Sequence, residues 1–275
     1  MVPLTNQEEV VTADGVRLRR GRLFDGTSGR SFIAAVDHGL TTGPQPGAEQ
    51  APELLQKVLG FQPDGVLLSP GLLATAGELL AYRAAPAILV RADWLIIDER
   101  LRYLGEQHRL LCTPAEAAAM GADALAVFLV LGAADGATFA DNVQAVATTA
   151  RAAARVGLPV VVETVLWGAR ATDPRDPELL ALGCRMAAEL GASVVKTQYT
   201  GDPESMAEVV GGCPVPVLVL GGPRAGDEAA LLDETRDALR AGASGVVYGR
   251  RLWQADDPAK LAAAVRAIIH QEGSG

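Results

Sequence analysis

The chain has 275 residues, 49% hydrophobic and 21% charged, the composition of an ordinary globular protein with apolar surface enough for a sizeable core. A formal net charge of -9 and the lack of any Lys/Arg stripe argue against nucleic-acid binding. No run of about 18 apolar residues occurs, so no membrane span is expected. Cys112, Cys184 and Cys213, odd in number and without C-x-x-C spacing, fit a reduced, cytoplasmic setting with no disulfide framework and no zinc site.

The first stretch, MVPLTNQEEVVTADG, has no basic region followed by an apolar one, so no secretory signal is read there. Next comes VRLRRGR, whose Arg17, Arg19, Arg20 and Arg22 read as a solvated segment or a subunit contact. Residues 1–30 thus form an N-terminal extension. The first predicted strand is SFIAAVDHG at 31–39, followed by DGVLLSPG at 64–71 and APAILVRAD at 85–93. His108 follows, and like His270 near the end it reads as a helix or surface residue, with no metal-ligand or nucleophile partner at a recognisable spacing.

A phrase then occurs three times: a helix, Gly-Ala, a polar residue and an apolar strand. Its copies are AAAMGADALAVFLVLG (117–132), AAELGASVVKT (187–197) and ALRAGASGVVYG (238–249). In each copy a glycine (Gly121, Gly191, Gly242) can end the helix in the left-handed conformation, and the run after it suits a buried parallel strand. LPVVVETVLWG at 158–168 and VPVLVLGG at 215–222 bring the strands to eight. Asp176-Pro177, Asp202-Pro203 and Asp257-Pro258 mark helix starts, the carboxylate capping and the proline filling the first turn. Eight strand–helix units predict a single (β/α)8 TIM barrel over the chain. An open doubly wound sheet is the alternative, but no G-x-G-x-x-G follows the first strand.

In such a barrel chemistry sits where strands end. The polar residues there are Asp37, His38, Arg91, Asp93, Glu163 and Lys196, with Gly-rich ends on the last two strands. Of 24 Lys+Arg only Lys57, Lys196 and Lys260 are lysines, and only Lys196 ends an apolar run. Alternation along ASVVKT puts Lys196 on the face of Val194, inside the barrel. Loss of water there favours a neutral amine, able to attack a carbonyl and form a Schiff base. The structural alternative is a lysine that neutralises a buried carboxylate. Gly221-Gly222-Pro223 and Gly249-Arg250 end strands seven and eight, where backbone N–H groups and a guanidinium can hold a phosphate; ordinary turn glycines are the other reading.

From RLFDGTSGRSFIAAVDHGLTTGP onward the chain resembles a class I aldolase family (DeoC/FbaB-like). That family includes archaeal-type fructose-1,6-bisphosphate aldolase, aminodideoxyheptulosonate synthase and the autoinducer-2 processing thiolase LsrF. The resemblance is densest in VVKTQYTGDPESMAEVV, CPVPVLVLGGPR and AGASGVVYGRRLWQADDP. It implies that Lys196, in V-K-T-x-Y-T-G-D, forms the Schiff base. It also implies that Asp37 and His38, in V-D-H-G, meet the substrate, with Asp37 able to assist proton transfer, and that Gly221, Gly222, Gly249 and Arg250 hold its phosphate. The implied substrate is a phosphorylated ketone such as dihydroxyacetone phosphate, held as an iminium that accepts electrons without a metal or other cofactor. The implied assembly is a homo-oligomer, commonly a decameric ring in these relatives.

One departure stands out. Several members carry a tyrosine in Y-P-R-G at the end of the fifth strand as the proton-transfer residue, and alignment puts Val165, Leu166 and Trp167 in place of Tyr, Pro and Arg. Valine transfers no proton. Glu163, two residues earlier, shares the face of Val165 and is the substitute acid/base or a ligand for a polar substrate group. Its structural alternative is an ion pair with Lys196 or Arg91, the latter also a substrate-binding candidate. Asp37 and, with its facing undetermined, Tyr199 are further candidates. The expected activity is aldol cleavage or condensation on an unusual keto-sugar phosphate. The alternatives are acyl transfer from a phosphorylated diketone and a non-catalytic sugar-phosphate-binding barrel.

Overall fold

A computed structural model describes residues 14–222 and 228–271. The stretch 1–13, on which most of the secretory-signal reading rests, and Pro223 lie outside the described residues. Ten strands are present among the described residues: β1 (Ser31–Ala35), β2 (Gly65–Leu68), β3 (Ala87–Arg91), β4 (Asp93–Leu95), β5 (His108–Leu110), β6 (Ala124–Leu131), β7 (Val160–Leu166), β8 (Val194–Gln198), β9 (Val217–Leu220) and β10 (Gly245–Tyr248). All but β4 and β5 are parallel and close into a barrel in the order β1-β10-β9-β8-β7-β6-β3-β2. This is the (β/α)8 TIM barrel expected, each of the eight predicted runs supplying one stave.

The local signals act as the sequence implies. Gly121, Gly191 and Gly242 follow their helices at φ of 87°, 103° and 94°, conformations costly for any residue with a Cβ. Asp176, Asp202 and Asp257 each accept a backbone N–H bond at a helix start, a cap worth about 1 kcal/mol. Lys57 and Lys260 lie exposed on the helices Ala51–Leu59 and Pro258–His270. No helix among the described residues is long and apolar enough to cross a membrane.

Two apolar layers flank the staves. Residues such as Val66, Val90, Val127, Val162, Val195 and Val219 face outward and pack under the helices, while Ile33, Leu67, Leu89, Val161, Val194 and Leu218 fill the barrel itself. Buried Leu23 joins the inner cluster, and Ser31, the first residue of β1, donates to its carbonyl at 2.5 Å. The segment before β1 therefore plugs the N-terminal end of the barrel, following a helix over 14–21. Arg22 pins that segment by pairing with Asp123 at 2.7 Å. Among the described residues the charged part of the interior lies at the other end.

β4 and β5 form an antiparallel hairpin, pairing Asp93 with Leu110 and Leu95 with His108, with a 3-10 turn at Glu99–Leu104 between them. It stands over the C-terminal mouth between β3 and β6. The hairpin corrects the reading of His108, which is no helix or surface residue but a buried strand residue whose Nε2 lies 2.9 Å from Asp93 Oδ2.

Candidate active site

The inner face changes character within two residues of each strand. Above Leu89, Val161 and Val194, the next inward positions are Arg91, Glu163 and Lys196. Register brings them together: Phe128 on β6 is level with Glu163 on β7, and Glu163 is level with Lys196 on β8. Lys196 Nζ is 2.8 Å from Glu163 Oε2, and Arg91 Nη2 donates to that same oxygen. Arg91 also donates Nε–H to Asp37 Oδ2 at 3.0 Å, and its guanidinium carbon stands 3.8 Å from the centre of the Phe128 ring. Its Nη1 also stands 3.7 Å from Asp93 Oδ1, so Arg91 is a hub among three carboxylates, laid on an aromatic floor.

The charges decide the protonation states. Burial opposes ionisation of Glu163, but the neighbouring Lys196 and Arg91 outweigh it and hold its carboxyl below the usual range. Asp37 follows the same rule: burial is overcome by Arg91, His38 and Lys196, and its carboxyl is also lowered. Asp93 goes the other way, since its burial exceeds what His108 and Arg91 return, and its carboxyl is raised. Its Oδ2 accepts from the Phe128 backbone N–H at 2.6 Å, which ties the hairpin to β6. For His38, burial and the charge of Arg250 prevail over Asp37 and depress it to about 4, so the ring is neutral at pH 7.

These groups open into a cavity of about 320 Å³ at the barrel mouth. Asp37, His38, Arg91, Glu163, Lys196, Gly221, Gly222, Gly249 and Arg250 all line it, so nine of the residues singled out in the sequence meet in one place. Gly249 leaves room for the His38 ring, because a Cβ on it would stand 2.3 Å from His38 Cε1 and the ring would have to shift. Arg250 makes no ion pair among the described residues, and its buried Nε, like His38 Nδ1, has no hydrogen-bond partner. Among the described residues no cluster of three His, Cys, Asp or Glu side chains could hold a metal ion.

The tenth candidate, Tyr199, is elsewhere. Its buried side chain packs in the outer layer between staves and helices and does not line the cavity, so it is corrected to a core residue. Gln198, one residue earlier, lines the mouth instead. Val165 lies on the cavity wall with Glu163, as their spacing requires. Two supports were missed. Arg251 is buried, donates to the Gly221 carbonyl at 3.3 Å and pairs with Glu234, fixing the end of β9. Trp253 donates to the Ala35 carbonyl at 3.1 Å and meets the His38 ring edge-on, centroids 5.7 Å apart.

A (β/α)8 barrel with an inward lysine paired to a carboxylate at its mouth, beside glycine-rich strand ends, has the architecture of a class I, Schiff-base-forming aldolase-type lyase. The chain belongs to the DeoC/LacD family of aldolases, whose family model matches residues 31–255. It is 35% identical over 258 residues to the 2-amino-4,5-dihydroxy-6-oxo-7-(phosphonooxy)heptanoate synthase of Streptomyces griseus, spanning 94% of this chain and 91% of that protein. It is 32% identical over 251 residues to a class 1 fructose-bisphosphate aldolase of Thermoproteus tenax, spanning 88% and 90%. An archaeal fructose-1,6-bisphosphate aldolase, solved with its catalytic lysine covalently bound to the carbinolamine intermediate, superposes with a TM-score of 0.81 at 28% identity, covering 93% of this chain and 99% of that one.

Proposed function

We propose that Lys196 is the Schiff-base lysine of a metal-independent aldolase that makes or breaks a carbon–carbon bond in a phosphorylated keto compound, and that Glu163 moves the proton. The observation that carries the reading is the 2.8 Å contact between Lys196 Nζ and Glu163 Oε2, in a barrel mouth whose wall has valine where a tyrosine would otherwise serve.

An ammonium must lose a proton before it attacks a carbonyl, and Glu163 is the acceptor in reach. Attack by the free amine gives a carbinolamine. Glu163 then returns the proton to the departing hydroxyl, and loss of water leaves the iminium. In the cleavage direction, removal of a proton from the substrate hydroxyl lets the carbon–carbon bond break, its electron pair passing into the iminium to give an enamine. Arg91 keeps Glu163 and Asp37 anionic and correctly turned between these steps. Arg250, with the backbone of Gly221, Gly222 and Gly249, takes the phosphate, and the unpartnered Arg250 Nε and His38 Nδ1 supply bonds that a polar substrate would complete.

Borohydride added with dihydroxyacetone phosphate should trap a mass adduct on Lys196, and Lys196→Ala should abolish it. No adduct would overturn the reading. Glu163→Gln should lower turnover by about two orders of magnitude or more. Near-normal turnover of that variant across the pH range would remove Glu163 from proton transfer and leave it as the lysine's counter-ion.

A further inference from the structure

The cavity has two chemically different ends, and the closed strand order sets them across the barrel axis. In the circuit β1-β10-β9-β8-β7-β6-β3-β2, the three strands that carry the proposed phosphate groups, β9, β10 and β1, stand opposite β3, β6 and β7. Lys196 on β8 lies between the two sets. The end formed by β6, β7 and the hairpin is apolar: Leu95, Phe128 and Val130 form one buried cluster, with Val165 and Trp167 packed against it. Leu95, Ile97, Phe128, Val165 and Trp167 all reach the cavity.

On that side the donor left without a hydrogen bond is Arg91 Nη1, which is buried and faces Asp93 Oδ1 at 3.7 Å rather than the acceptor space. The Trp167 indole N–H is spent on the Ile96 carbonyl at 2.9 Å. Three cations line the whole cavity among the described residues, and only Arg250 lacks a carboxylate, since Arg91 and Lys196 are held by Asp37 and Glu163. The hairpin's own cations do not line it. Arg100 is paired with Asp98 at 2.7 Å, Arg102 with Glu99 at 2.5 Å, and Arg109 donates to the His108 carbonyl at 2.6 Å. A second phosphate, an ammonium or a carboxylate seated against Leu, Ile, Phe, Val and Trp would lose its water with nothing in return.

We infer that the aldehyde partner of this site is a small, uncharged, apolar aldehyde, and that the only phosphate in the reaction is carried by the ketone. The inference rests on the Schiff-base reading given above and adds the partner's chemical class. The step balances without oxidant or reductant. The enamine carbon bonds to the aldehyde carbon, the carbonyl electron pair moves to oxygen, and that oxygen takes a proton from Glu163. Water then releases the aldol from Lys196. A cavity of about 320 Å³ is at the small end of ligand sites, enough for a short acceptor beside the phosphoketone.

The test condenses dihydroxyacetone phosphate with butanal and, separately, with glyceraldehyde 3-phosphate, and compares kcat/KM. Butanal should be favoured by about tenfold or more. Borohydride trapping of Lys196 is run beside it, so the two readings fail separately. An adduct with glyceraldehyde 3-phosphate equal or preferred overturns the inference alone, as does an adduct with neither aldehyde consumed; no adduct overturns both. Ile97 is 42% exposed, so Ile97→Lys places a cation on the wall without disturbing the core. It should move the preference about tenfold toward the phosphorylated aldehyde. An unchanged ratio would show that this wall does not seat the acceptor.

Discussion

The two halves of the barrel interior are made by the same strands, two residues apart, and follow opposite rules. In the lower half Leu67, Leu89, Val161, Val194 and Leu218 interlock over the Leu23 plug, where the Ser31 hydroxyl is satisfied by the Leu23 carbonyl. In the upper half Arg91, Glu163 and Lys196 continue the same inward rows, joined by Asp37 from the end of β1, and each group depends on another's charge. Area removed from water holds the lower half together, at about 25 cal/mol per Å². The upper half replaces solvent with fixed partners, an arrangement that is often no more stable than apolar packing. The difference teaches that the mouth is organised for chemistry and the floor bears the fold.

The sharpest way to break this comparison is the same truncation on each level. Lys196→Ala should reduce activity to background while leaving a folded barrel, whereas Leu89→Ala should cost about 2–5 kcal/mol of stability and keep adduct formation. A Lys196→Ala protein that unfolds, or a Leu89→Ala protein that folds as well as its parent, would erase the distinction. Next in size is Arg91→Met, which keeps the stem but strips the hub from its carboxylates, at a cost of about 3–5 kcal/mol near pH 7. The sign with pH follows. Asp37 and Glu163 are both lowered in the folded protein, so their contribution is present above their ordinary values of 3.8 and 4.5 and is lost as pH falls through the folded ones. Denaturant midpoints for parent and Arg91→Met should therefore converge as pH falls below those ordinary values; parallel curves would mean the hub acts by packing alone.

Much of both halves was legible because it is written in local spacing. Glycine after a helix, aspartate before proline and alternation along ASVVKT are short-range facts, and they placed the staves, the caps and the inward lysine. Alternation also carried a signal that went unused. If Val194 and Lys196 point inward, Gln198 does too and Tyr199 cannot, which is what the cavity shows. The hairpin was not legible, because three-residue strands such as Asp93–Leu95 and His108–Leu110 are too short to show a period. The Asp93–His108 contact was hidden with it, since only the antiparallel pairing brings together residues far apart in the chain. The facing of Glu163 and Lys196 could be read, but their being level could not, for register between parallel strands depends on the long helical connections.

The smallest effect in the series tests where the upper half meets its phosphate end. His38 stands beside Gly249, a residue with no Cβ to displace the ring, with Trp253 edge-on to it. Burial and the charge of Arg250 depress it from 6.5 to about 4. Above pH 6.5 the ring is neutral folded and unfolded, so it adds no pH dependence. As pH falls from 6.5 toward 4 the unfolded chain takes a proton that the folded one refuses, and stability drops by up to about 3 kcal/mol across that window. Replacing the ring by His38→Asn should flatten the stability profile between pH 6.5 and 4, most visibly in the upper part of that window, before the carboxylates begin to respond near the ordinary value of 4.5 for Glu163. Equal slopes for parent and variant would mean that the ring titrates normally. A phosphoketone seated at Arg250 adds negative charge beside the ring, so the His38 midpoint, followed by proton NMR, should rise when dihydroxyacetone phosphate binds. A midpoint that stays near 4 with the ketone bound would place the phosphate away from Arg250 and His38, and with it the proposed division of the cavity into a phosphate end and an apolar one.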